Sequence, residues 1–204
     1  TEHDVLILNL HGTIMIITTS SSSDFTPAPA GSFLARCCRV VDLGTQKTEF
    51  QGETKQQHKV LVVFEILDPD VFREDGKPYT VAKRYSASMH EKAALRRDLE
   101  SWRGAKFTDA DLKHFDLASI LGRTCLLSVT HTEKDGRVFA NIAALVKAPK
   151  GMTGTDPTEP LVHFDLASPD WTVFDGLGER LRAQIMAAPE YLAAKKVKPA
   201  TEPP

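Results

Sequence analysis

A mainly β fold is predicted from three observations. Between Phe33 and Val146 three strand-like runs come first, then one helix with an apolar stripe, then a β-hairpin. The second run, Lys59–Leu67, alternates with a period of two, and the last two runs meet at the turn sequence Glu133-Lys134-Asp135-Gly136. This β-β-β-α-β-β order is the one a five-stranded Greek-key barrel of the OB type requires, with its helix between strands 3 and 4. An N-terminal extension and a C-terminal helical tail flank it. Barrels of this kind bind single-stranded nucleic acid more often than they catalyse reactions.

Each element has its own signals. Phe33–Leu43 is β-rich and ends at Gly44, which marks a bulge or bend. Gly44–Gln57 is polar, with Lys47 and Lys55, and reads as a mobile connection between strands 1 and 2. In Lys59–Leu67 the core face is Val60, Val62, Phe64 and Ile66, and the other face is Lys59, Leu61, Val63 and Glu65. Asp68-Pro69 stops that strand, Asp75-Gly76-Lys77-Pro78 turns the chain, and Tyr79–Ser86 returns as strand 3. Ser88 with Glu91 has the spacing of a capping box, which predicts a helix start there. Leu95, Leu99 and Trp102 give it one apolar stripe able to close the barrel, and Gly104 stops it. Thr108 and Asp111 cap a second short helix to about His114. Arg123–Thr130 and Arg137–Val146 are the closing hairpin, after which Pro149, Gly151 and Gly154 end the barrel domain.

The domain plan is therefore an extension and linker over 1–30, the barrel over 31–150 and a C-terminal extension over 151–204. In the first part the apolar runs Val5–Leu10 and Ile14–Ile17 lead into the hydroxyl tract Thr18–Ser23 and the linker-like Phe25–Ala30. Met15 reads like a natural start, which leaves open whether 1–14 belongs to the native chain. In the last part Leu161–Leu166 is short and apolar, and Trp171–Phe174 is placed to pack on the barrel. Helical spacing runs over about 175–194 until Pro189 interrupts it, and Lys195–Pro204 is expected to be disordered.

Composition narrows the function classes. Net charge is −2 overall, but residues 33–150 carry 20 basic and 16 acidic side chains, whereas 1–32 hold no Lys or Arg. A mildly basic body with acidic ends suits a nucleic-acid binder. Cys37, Cys38 and Cys125 show no metal-ligand spacing, and an odd count without a framework suggests a reducing cytoplasm. No run is long enough to span a membrane. No GxxxxGK[ST], GxSxG or HxxxH pattern occurs, so neither a catalytic residue nor a metal site nor a cofactor is expected.

Single-strand binders need cations along a groove and exposed rings on which bases stack. Strand 3 offers Tyr79, Lys83, Arg84 and Tyr85, of which Tyr79, Lys83 and Tyr85 share one face. The hairpin adds His131, Lys134, Arg137 and Phe139, strand 1 adds Arg36 and Arg39, and Lys47 within the first connection and Lys59 just after it complete the set. The expected stacking rings are Tyr79, Tyr85 and Phe139. Two other classes stay open: a protein-interaction or virion-assembly module on the same barrel, and a metal-dependent nuclease whose acids converge from separate elements.

The run Gly31-Ser-Phe-Leu-Ala-Arg-Cys-Cys-Arg-Val-Val-Asp-Leu-Gly-Thr-Gln46 resembles the opening of a bacteriophage-encoded OB-fold single-stranded DNA-binding family. The Leu121-Gly122-Arg-Thr-Cys to Val129-Thr-His block, then Ala140-Asn-Ile-Ala-Ala-Leu and Pro149-Lys-Gly151, is similar to its closing hairpin, and Ala188-Pro-Glu-Tyr191 to its tail helix. The resemblance spans most of residues 24–194. It implies sequence-tolerant binding of single-stranded DNA in phage replication or recombination, without catalysis, in the cytoplasm of a bacterial host. Replication or recombination proteins would meet it through the C-terminal extension, and monomer and dimer are both open. The chain departs from bacterial single-strand binding proteins in ending Thr-Glu-Pro-Pro, without their acidic, aromatic tip.

Overall fold

The computed structural model describes residues 26–50 and 53–196. Expectations for 1–25 and 197–204 lie outside the described residues. The chain folds as a mainly β, open and largely antiparallel sheet with short helices. The strands are β1 (Gly31–Phe50), β2 (Glu53–Ile66), β3 (Thr80–Ser86), β4 (Thr124–Lys134), β5 (Arg137–Val146) and β6 (Val162–Phe164). Their order in the sheet is β3-β2-β1-β4-β5, and β6 joins parallel to Arg39–Val41 of β1. Five strands were expected and the sheet has six.

β1 organises the molecule. Its first residues, Gly31–Arg36, pair with β4, and from Ala35 onward it pairs with β2. The edge that β4 leaves after Arg36 is taken up by β6, so β1 is paired on both edges over two successive stretches. Two bulges, at Cys38 and Leu43, interrupt the β1–β2 ladder, and Gly44 at φ +66° completes the second. The polar stretch expected as a mobile connection is instead a continuation of this ladder, from Thr45 opposite His58 to Phe50 opposite Glu53. A ribbon exposed on both faces has no apolar alternation, so its sequence looks like a loop while its backbone hydrogen bonds run on.

The closing hairpin forms as expected. Asp135 (φ 53°) and Gly136 (φ 70°) both adopt the left-handed conformation that a two-residue type I′ turn requires. The helix after β3 is α1 (Ala94–Arg103), with Leu95, Leu99 and Trp102 buried and Gly104 stopping it at φ 72°. Its start is a correction. Ser88 Oγ accepts the His90 N–H at 3.2 Å in a local turn, and the helix begins after Ala93 with no side-chain cap. Leu95, in the first turn, is buried in the core. The Thr108–Asp111 capping box is formed on α2 (Asp109–His114), and a 3₁₀ turn over Leu117–Ile120 leads into β4.

Two cores result. The first lies inside the curl of the sheet, where Cys37, Val40, Val62, Phe64, Leu127 and Leu145 meet the α1 stripe. The second lies on the outer face of β1 and β2, where Cys38, Val41, Leu43, Leu61 and Val63 meet Phe164, Phe174 and Ile185. Residues 151–196 form that cover through α3 (Trp171–Asp175), α4 (Glu179–Met186) and α5 (Pro189–Lys196). The helical stretch expected over about 175–194 is interrupted at Pro189 as expected: α4 ends at Met186, and Pro189 starts a new helix at a position where its missing N–H costs nothing. Lys195, expected in a disordered end, is helical, with Nζ 3.6 Å from the centre of the Trp171 ring. Among the described residues no helix is long and apolar enough to cross a membrane.

Candidate nucleic-acid interface

Strand 3 shows how parity and burial combine. Tyr79, Val81, Lys83 and Tyr85 do share a face, but that face is the interior. Tyr85 is 3% exposed and its hydroxyl donates to Asp98 Oδ2 at 2.8 Å. Burial, reinforced by the Asp98 carboxylate, pushes its pKa well above the usual phenol value. It is a core residue and offers no ring to a base, which corrects the expected stacking role. Lys83 also turns inward: Nζ donates to Asp98 Oδ2 at 2.7 Å and to the Ile142 carbonyl at 3.3 Å, tying β3 to α1 and to β5. Tyr79 is half-buried against the same core. Only Arg84, on the opposite parity, projects into solvent.

Arg36 and Arg39 are corrected in a different way. Three positions apart, they would face opposite ways on a regular strand. The bulge at Cys38 adds one residue between them, so both reach the outer face. There Arg36 donates to Glu65 Oε2 at 2.7 Å and to the Glu159 carbonyl, and Arg39 pairs with the Glu159 carboxylate. Glu65 is fully buried and also accepts the Thr158 N–H at 2.7 Å, the Glu159 N–H at 2.9 Å and the Thr158 hydroxyl at 3.1 Å. Burial pushes the Glu65 carboxyl up, but the two backbone N–H groups and the Arg36 guanidinium outweigh it and hold it below the usual range. These arginines clasp the segment leading into β6, and their charge is paired with Glu65 and Glu159.

Other expected residues are also engaged or stand apart. Lys59 Nζ donates to Ser86 Oγ at 3.0 Å and to Gln57. His131 Nε2 lies 2.7 Å from the Ala28 carbonyl and holds the chain entering β1. Lys47 is exposed on the β1–β2 ribbon, at the far end of β1 from the closing hairpin.

What the structure does bring together lies on the closing hairpin. Beyond the Gly31–Val129 pair, residues 130–141 pair, among the described residues, only with one another and form an exposed arm. Lys134 is opposite Arg137, and Thr132 is opposite Phe139, so Lys134, Arg137 and Phe139 share one face. Phe139 is 44% exposed, and Asn141 Nδ2 braces its surroundings by donating to Thr132 Oγ1 at 2.8 Å and to the Phe139 carbonyl at 3.1 Å. Glu133, opposite Val138, belongs to the other face.

A second exposed ring escaped the sequence reading. Phe72 lies in the β2–β3 connection between Asp68 and Pro78, bridged to Pro78 and flanked by Arg73 and Lys77. This connection leaves the sheet where Ile66 pairs with Ala35, the end of β1 from which the arm also departs. The signal was a ring beside cations at the Asp75-Gly76 turn. A comparison with protein-family models gave no match to this chain, and a search of curated proteins gave none.

Proposed function

We propose that the chain is a sequence-tolerant single-stranded DNA-binding protein on an OB-type Greek-key barrel, acting in phage replication or recombination in a bacterial cytoplasm. The strand path β3-β2-β1-β4-β5, with α1 between β3 and β4, supports this reading. So does the reach of Lys83 from β3 to the Ile142 carbonyl of β5, since these are the strands whose approach closes such a barrel. The observation that carries the proposal is the arm, where an exposed ring shares a face with two cations that enter no ion pair among the described residues. Cations there neutralise phosphate and Phe139 stacks a base, neither of which reads sequence.

Fluorescence polarisation with oligo-dT across a salt series tests it. Binding should weaken steeply with salt, and duplex of equal length should bind much more weakly. Equal affinity for both, or no binding at low salt, would overturn the reading. A second reading has its own observation: Met186 and Leu192 are exposed apolar side chains on α4 and α5. It makes the C-terminal extension a protein-contact surface, and predicts that a folded chain binds another protein and ignores oligonucleotides.

A further inference from the structure

An apolar recess near the barrel's helical cap lies away from the arm, between α1, the 3₁₀ turn and the adjoining strand ends. It holds about 410 Å³, within the range of small-ligand sites. Leu99, Trp102, Phe107 and Ile120 make its floor. Arg103, Arg123 and Lys147 form its rim, and no carboxylate lines it. Arg103 lies 5.0 Å from the centre of the Phe107 ring and is partly neutralised by Asp111 at 3.0 Å. Arg123 and Lys147 are exposed and enter no ion pair among the described residues. The recess opens into a shallower depression of about 610 Å³, and the nearby carboxylates, Asp111 and Asp116, are confined to that outer part.

An apolar, ring-lined floor under uncompensated cations selects a ligand that is flat and apolar at one end and anionic at the other. We propose that this recess binds a single nucleotide, its base on the floor beside Trp102 and its phosphate at Arg123 and Lys147. The inference rests on the single-strand reading only in choosing a nucleotide among aromatic anions. The polar side chains on the wall other than the cations are the hydroxyls of Ser119 and Thr124. Neither can make the two-point contact by which Asn, Gln or Arg singles out a base, so base preference should be slight. The same chemistry is offered by a free mononucleotide and by one residue of a strand. β4 runs from this recess at Thr124 to the arm at Lys134, a span of about 33 Å along the strand.

The full chain carrying Trp171→Phe reports the site, because Trp102 is then its only tryptophan. Titration with dTMP, and separately with oligo-dT, should quench Trp102 emission saturably. Arg123→Ala with Lys147→Ala should weaken that response about tenfold or more, while the far-ultraviolet circular dichroism stays unchanged. Quenching by dTMP identifies a free-nucleotide site, and quenching by oligo-dT alone identifies a position on a bound strand; either supports the proposal. Trp102 silent to both, equal quenching by inorganic phosphate, or an undiminished response in the double variant would overturn it. Salt-dependent oligo-dT polarisation with a silent Trp102 would sink this inference and spare the single-strand reading. A dTMP response without oligo-dT polarisation would do the reverse.

Discussion

Burial separates the two aromatic side chains Tyr85 and Phe139, one inside the core and the other on the exposed arm. Tyr85→Phe removes a hydrogen bond to Asp98 but keeps the ring, and Lys83 still satisfies the carboxylate. The expected cost is about 1 kcal/mol in urea unfolding, with oligo-dT affinity unchanged. Phe139→Ala should behave the other way, losing about 1–3 kcal/mol of oligo-dT binding with stability unchanged. If the two variants exchange phenotypes, the interface lies on strand 3 after all. Glu65 is the third telling residue. Its carboxyl is held below the ordinary range in the folded chain, so ionisation stabilises the fold wherever pH exceeds the unfolded value, about 4.3. That stability is lost as pH falls through the lower folded value. Glu65→Gln should cost on the order of 3 kcal/mol near pH 7 and flatten the acid limb of the stability profile.

At the scale of elements, Gly44 and Gly136 separate backbone strain from crowding. Both have positive φ, so a side chain at either costs about 1–2 kcal/mol. A Cβ on Gly136 meets nothing within 4 Å, whereas one on Gly44 would lie 2.5 Å from the Ala188 Cβ, where the chain turns into α5. Gly44→Ala should therefore destabilise the chain clearly more than Gly136→Ala, and chemical denaturation of the pair measures the difference. These positions also mark what was legible in the sequence. The Asp135-Gly136 turn, the α1 stripe and the alternation of β2 are local patterns, and each formed where its residues pointed. The Ser88 cap failed because its hydroxyl accepts the His90 N–H in a local turn, and the helix begins only after Ala93. Strand 3 is misjudged from sequence because parity tells which side chains share a face but not which face is covered. Nothing local to Tyr79–Ser86 says that its odd positions point inward, and nothing local to Arg36 and Arg39 announces a bulge between them or Glu159 waiting across the sheet.

The whole molecule is a sheet covered on both sides, and its second cover comes from residues far along the chain. Leu61, Val63 and Leu43 are buried only because Phe164, Phe174 and Ile185 lie on them. Ile185→Ala should cost about 2–5 kcal/mol and shift one cooperative transition, since both cores share β1 and β2. A chain cut after residue 150 should aggregate, because it would bare that apolar face and leave Glu65 and Arg36 without the Glu159 segment. A soluble, cooperatively unfolding 31–150 fragment would show the first core to be independent of its cover.

The double pairing of β1 also sets a timetable for synthesis. Ile66 leaves the ribosome long before Phe164, and at roughly 5–20 residues per second the outer face of the first hairpin waits about 5–20 s for its cover. During that interval the nascent chain presents an unsealed strand edge and an apolar sheet. Slowing translation should therefore lower the soluble yield of this protein before it alters that of single-core neighbours.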